Sequence, residues 1–309
     1  MSFAKEVKEE ISKIKADKCC YHAELSALLW INSLISLSSD GLKLEYQTTN
    51  STISRRFVML VKALYDVEIE LLYKERERLN RSRLYIARIL KGADNIIMEH
   101  GLLGFDSSHH KKILDNDCCR YAFIRGAFLA SGSINDPNHS YHMEIACQDE
   151  KQIIFLQKLM NDCDLNAKIT RRRKNLIVYL KEASKIADLL NIIGSKRLYF
   201  QYEDTIIKRD ISNSINRVIN VELANEQKTV ASAKVQIEQI NFVIKMLGYD
   251  NIEAKMLETM NLRLENPDSS LNELVAIAAN KNINLTKSGL NHRFRKISEL
   301  YNKIKENMQ

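Results

Sequence analysis

The chain has 309 residues, 45 % of them hydrophobic and 28 % charged, enough to bury cores in two domains or more and ordinary for a soluble protein. Its 46 Lys and Arg against 39 Asp and Glu give a formal net charge of +7, a mild bias toward anionic partners. No apolar run reaches membrane-spanning length (residues 25–37 come nearest), and residues 1–18 are charged and amphipathic, unlike a signal peptide, so a cytoplasmic protein with reduced thiols and no membrane partner is expected.

In chain order, residues 2–16 predict an amphipathic helix with Phe3, Val7, Ile11 and Ile14 on one face. A second helix at about 19–33 leads into two short runs, 34–38 and 42–46. These flank Ser39-Asp40-Gly41, a hairpin signature. A helix over 50–65, strands at 67–73 and 84–90 around a basic turn, and a helix at 94–103 complete a first half. The second half repeats the order. A helix at 117–131, a hairpin around Asp136-Pro137-Asn138, a strand at 141–147 and a helix at 149–162 come first. Strands at 166–171 and 175–180 and a helix at 182–193, capped by Gly194, follow. Two further helices are predicted, 211–224, rich in asparagine, and 228–247. Pro267-Asp268-Ser269-Ser270 carries N-cap chemistry for a helix at 271–279, and a turn at 280–285 precedes a last helix at 286–306.

The two halves are copies in sequence. Cys118-Cys119 repeats Cys19-Cys20 after 99 residues, and the apolar helices that follow stay in register as far as Leu44-Glu45-Tyr46 against Met143-Glu144-Ile145. A duplication of this size means two similar half-domains around a pseudo-twofold, which suits a ligand with its own dyad, and duplex DNA is such a ligand. Ala23 and Ala27 in one helix, and Ala122, Gly126 and Ala130 in the other, are small residues at i, i+4 spacing that allow close helix approach. The adjacent cysteines lack C-x2-C spacing and neighbours on a helix point about 100° apart, so they read as packed thiols. No metal site is expected, and no Walker loop, G-x-G-x-x-G or nucleophile elbow calls for a cofactor. His109-His110 reads as loop and Trp30 as core.

Two basic constellations carry the functional reading. Lys74, Arg76, Arg78, Arg81 and Arg83 surround the turn of one hairpin; Lys168, Arg171, Arg172, Arg173 and Lys174 surround its counterpart. Such residues also suit a plain solvated loop, but their recurrence in both halves favours phosphate contacts on either side of a groove. The tail has the outline of a helix-turn-helix, with an ordinary amphipathic hairpin as the alternative. Leu271, Leu274, Ile277 and Ala278 line one apolar face; Leu290, Phe294, Ile297 and Leu300 line the other. Thr286, Lys287, Ser288, Asn291, His292, Arg295 and Lys296 stand opposite, with Arg293 close by. Asn and Arg read adenine and guanine bidentately in the major groove. Asn291, Arg293, Arg295 and Lys296 are therefore expected to make the first contacts.

The segment 124–134, Ile-Arg-Gly-Ala-Phe-Leu-Ala-Ser-Gly-Ser-Ile, resembles the LAGLIDADG motif of homing endonucleases, and 25–35 resembles it more loosely. The resemblance implies hairpin pairs forming a curved sheet that straddles DNA. In that family an acidic residue at the base of each motif helix holds a divalent metal. Here those positions are Asn32 and Ser131, which lack the carboxylate that Mg²⁺ requires. Together with the asparagine-rich segment around Asn213-Ser214-Ile215-Asn216-Arg217 and the tail around 285–296, the chain resembles the WhiA family of bacterial DNA-binding regulators. One departure is Cys20-Tyr21-His22, where that family more often continues with basic residues.

The expected fold is thus α+β. A duplicated LAGLIDADG-like domain with curved antiparallel sheets fills 1–200 (halves about 19–103 and 118–194). A helical connector at 201–248 and an all-α helix-turn-helix domain at 249–309 follow. The resemblance implies a non-catalytic, sequence-specific DNA-binding protein, a transcriptional regulator of cell division and chromosome segregation associated with the nucleoid. Double-stranded DNA is its expected partner, with regulatory or cell-division proteins as further ones. A LAGLIDADG-type endonuclease and a protein-interaction scaffold are the alternatives.

Overall fold

The computed structural model describes residues 2–38, 41–75, 83–104, 112–172 and 175–307. Asp40, His109-His110, Arg76, Arg78, Arg81, Arg173 and Lys174 lie outside the described residues. Two compact units divide the chain, Met1–Arg209 and Asp210–Gln309.

The sequence offset of 99 residues is also a structural offset in the first unit. Helix α1 (Phe3–Ile11) precedes two matched series. The first is α2 (Lys18–Asn32), β1 (Ser33–Ser38), β2 (Gly41–Thr48), α3 (Ser51–Leu64), β3 (Ile69–Glu75), β4 (Arg83–Ile89) and α4 (Ala93–Glu99). The second is α5 (Asp117–Ser131), β5 (Gly132–Ile134), β6 (Met143–Cys147), α6 (Glu150–Asp162), β7 (Lys168–Arg172), β8 (Asn175–Leu180) and α7 (Ala183–Ile192). Each series builds a four-stranded antiparallel sheet, ordered β1-β2-β4-β3 and β5-β6-β8-β7. Even the register is duplicated: Ser33 opposes Tyr46, and Gly132 opposes Ile145.

The motif helices α2 and α5 pack against each other along their small residues. Ala23, Ala27 and Ala122 are fully buried. At Gly126 a Cβ would fall inside contact distance of the Glu24 carbonyl oxygen and 2.9 Å from Ala27 Cβ. Alanine normally improves a helix over glycine by about 1 kcal/mol. Here the obstacle is a backbone atom, so overpacking wins. Gly126→Ala is expected to destabilise the unit by about 1–3 kcal/mol, read as a lower urea midpoint.

An ion cluster lies in the same interface. Glu24, with no exposed surface, receives Arg56 Nε at 2.7 Å and Nη2 at 2.8 Å from α3, and Arg125 Nε at 2.9 Å from α5. Arg56 Nη1 also donates to the Ile14 carbonyl at 2.7 Å. That bond occupies the stretch after α1, which stops at Ile11 instead of continuing to 16 as periodicity predicts. Helix α4 likewise stops at Glu99, short of 103. Gly101 takes φ +58° and Leu102 N–H turns back to the Ile97 carbonyl, as Gly194 (φ +87°) and Ser195 do after α7.

In place of the two helices predicted over 211–247 there is one, α8 (Lys196–Leu247). No glycine or proline interrupts it, and Thr229 Oγ1 donates back to the Asn225 carbonyl across the expected break. The second unit closes over Ile240 and Val243 of α8. Three further α-helices pack with it: α9 (Ala254–Glu265), α10 (Leu271–Asn280) and α11 (Lys287–Glu306). Leu274, Ala278, Leu290, Phe294 and Ile297 are buried there; Leu271, Ile277 and Leu300 are partly covered.

Candidate nucleic-acid interface

Helix α10 starts with a capping box between Ser270 and Glu273 and ends at Asn280, with Lys281 as its C-cap. Asn282 then adopts φ +58°, while the Asn282 and Ile283 amides bond the Ala279 and Ala278 carbonyls. This turn redirects the chain, and Thr286 caps α11 by accepting from Gly289 N–H at 3.1 Å. The apolar stripe of α11 faces the core, so its other side is presented to solvent. Thr286, Lys287, Ser288, Asn291, His292, Arg295 and Lys296 are all exposed. Lys287, Ser288, Asn291, His292 and Arg295 line one shallow depression.

Arg293 does not join them. Its Nη1 donates to the Lys255 carbonyl at 2.9 Å, Thr259 Oγ1 at 3.0 Å and Glu258 Oε2 at 3.2 Å, all on α9. The helical step of about 100° from His292 turns it inward. Expected in the sequence to contact DNA first, it is a brace between helices.

Strand alternation divides the basic hairpin residues. The helix-covered face of one sheet carries Leu44, Tyr46, Ala87 and Ile89, and that of the other Ile145, Cys147, Val178 and Leu180. By register, Lys74 falls on the open face of its sheet, and Lys168 and Arg172 on that of theirs. Arg83 and Arg171 fall on the opposite faces. The open faces also carry acids that periodicity does not reveal. Glu45, Arg88 and Glu70 form one cross-strand row, with ion pairs of 2.7 and 3.0 Å. Arg172 meets Glu144 at 3.3 Å. Although partial burial opposes it, hydrogen bonds from Arg88 and Gln47 hold the Glu45 carboxyl below its ordinary value, so it is ionised at neutral pH. The basic charge of both open sheet faces is therefore partly neutralised.

Asn32 and Ser131, at the C-terminal ends of α2 and α5, are both engaged in structural bonds. Asn32 Nδ2 donates to the Ala130 carbonyl at 3.0 Å, across the motif-helix interface. Ser131 Oγ donates to the Ala146 carbonyl in β6 at 2.7 Å. Asp136 accepts from Asn138 N–H at 2.8 Å within its turn. Among the described residues, groups of three or more His, Cys, Asp or Glu donors occur only where Cys19, Cys20, Cys118 and Cys119 meet, at the other end of the same helices. Burial and then the neighbouring sulfurs push the Cys20 thiol up to about 12, and the Cys119 thiol upward too. Sequence spacing treats the two pairs separately; the packing of α2 on α5 brings them together.

No helix among the described residues is long and apolar enough to cross a membrane. Three family models cover most of the chain: the WhiA N-terminal LAGLIDADG-like domain at 18–103, the WhiA LAGLIDADG-like domain at 120–212 and the WhiA C-terminal HTH domain at 215–301. The chain is 41 % identical over 311 residues to "Probable cell division protein WhiA" of Geobacillus thermodenitrificans, spanning 99 % of this chain and 97 % of that one. It is 40 % identical over 313 residues to the protein of the same name from Staphylococcus aureus (strain JH9), spanning 100 % and 99 %. The crystal structure of full-length DUF199/WhiA from Thermatoga maritima shares its fold, with a TM-score of 0.60 and 22 % identity over 98 % of this chain and 99 % of that one. With its matched LAGLIDADG-like halves and its helix-turn-helix tail, the chain belongs to the WhiA family.

Proposed function

We propose that the protein is a non-catalytic, sequence-specific DNA-binding protein that regulates transcription in cell division and chromosome segregation. The observation that carries this reading is the solvent face of α11. There Asn291 and Arg295 stand one turn apart among Lys287, Ser288, His292 and Lys296, behind a capped turn. A helix so presented suits major-groove entry, with amide and guanidinium groups reading base edges. Lys74, Lys168 and Arg172 then add phosphate contacts from the open sheet faces, weakened by Glu45, Glu70 and Glu144. Residues 201–248 serve as the connector between the repeat domain and the reading head. The partner is double-stranded DNA and the setting the nucleoid, with regulatory or cell-division proteins as further partners.

The nuclease alternative is disfavoured by Asn32 and Ser131. Both supply neutral side chains already used in hydrogen bonds where metal-dependent cleavage needs carboxylates. Supercoiled plasmid incubated with the full chain and Mg²⁺ tests this. The expected result is a salt-sensitive shift over DNA that remains supercoiled once protein is stripped away. Nicked or linear plasmid would return the enzyme reading to first place.

A further inference from the structure

Cys19 and Cys20 sit in the first turn of α2, and Cys118 and Cys119 in the first turn of α5. Their four Sγ atoms all lie within 4.8 Å of one another, and those of Cys118 and Cys119 are 4.0 Å apart. Two adjacent cysteines on one helix diverge too far to surround an ion alone. Here the second helix supplies the remaining two corners of the cage. In a tetrahedral zinc–thiolate site, bonds of about 2.3 Å place the sulfurs roughly 3.8 Å apart. Side-chain adjustment of about an ångström or less would close the present cluster onto a metal.

Simple packing does not account for all four residues. Cys20 and Cys119 are buried, as small apolar thiols often are, but Cys19 and Cys118 are exposed. Both helices also begin without a side-chain cap: the side chain of neither Asp17 nor Asn116 accepts a bond from the first turn. The N-terminal ends of two helices thus lie beside the four sulfurs, and their positive dipole ends suit the negative charge that a zinc tetrathiolate carries.

We propose that Cys19, Cys20, Cys118 and Cys119 form a structural zinc site that ties together the two halves of the repeat unit. Four protein sulfurs leave no open coordination position, so the ion acts as a staple and not as a catalyst. Binding converts four thiols and one Zn²⁺ into a zinc tetrathiolate and four released protons, with no change in oxidation state. Affinity therefore rises with pH. The metal spans the pseudo-twofold at the end of the motif helices opposite to Asn32 and Ser131.

The test uses the full chain, reduced and stripped with a chelator, then titrated with Co²⁺ as a spectroscopic stand-in. The expected result is the visible spectrum of tetrahedral cobalt–thiolate, saturating at one ion per chain and erased by added Zn²⁺. Cys19→Ser and Cys118→Ser alter the two exposed sulfurs, which disturbs packing least, and each should lose that spectrum. Cys163→Ser, outside the cluster, should keep it. Chelation should also lower the Tm of zinc-loaded wild type but not of the Cys19→Ser/Cys118→Ser double variant. Absence of the thiolate spectrum in reduced wild type would overturn the proposal. So would a spectrum that survives both serine variants, or disulfides among the four cysteines with no metal bound.

Discussion

Glu24→Gln is expected to destabilise the Met1–Arg209 unit by about 3–5 kcal/mol, the range found when one partner of a buried ion cluster is removed. Among the described residues, Glu24 is the carboxylate that pairs with both Arg56 and Arg125, whose side chains are only 2 % and 7 % exposed. The neutral amide would leave two guanidinium groups in the interior without a counter-charge, and its NH2 group would oppose their donors. The protein contains one tryptophan, Trp30, which lies 5.7 Å from Phe123 and 5.5 Å from Phe155 between ring centroids, so its fluorescence reports this unit. The urea midpoint of that signal should fall sharply in Glu24→Gln. Adding Arg125→Met should restore part of the loss, because one stranded cation is then gone. A shift below about 1 kcal/mol would mean that water or rearrangement satisfies the arginines.

The second large effect concerns recognition. Asn291→Ala combined with Arg295→Ala should weaken binding to the preferred duplex by about 2–6 kcal/mol, roughly 30-fold to 10⁴-fold, if each side chain reads a base edge. Binding to scrambled duplex should change far less, and its salt slope by about one unit for the lost Arg295 charge. Anisotropy titrations on both duplexes separate these terms. Equal losses on both would reduce the pair to phosphate contacts. Arg293→Ala should behave differently. It removes three bonds to α9, so thermal stability of the second unit falls with or without DNA.

Much of this architecture was legible in the sequence because it rests on local signals. The cysteine-to-strand repeat, the Ser270 cap, the Gly194 stop and the i, i+4 apolar stripe of α11 each act within a few residues. What was hidden depends on partners distant along the chain. Glu24 and Arg125 are 101 positions apart, and nothing in either helix says that they meet. The four cysteines converge through the packing of α2 on α5, whose backbones approach closely at Gly126. Arg293 looks equivalent to Arg295 on a list of charges, yet two helical positions separate a brace from an exposed side chain. The glutamates that offset the hairpin bases were visible as residues; their placement on the same sheet faces followed only from strand register. The break expected near residue 225 rested on composition alone, and no backbone breaker enforced it.

Sequence-specific binding through α11 is tested most directly by selecting genomic fragments on the full-length protein and comparing the enriched duplex with its scrambled counterpart at two salt concentrations. A preference of about 10³-fold or more is expected, on the order found for specific regulators, persisting as salt rises and collapsing in Asn291→Ala/Arg295→Ala. Equal affinity for both duplexes, falling away together with salt, would contradict it.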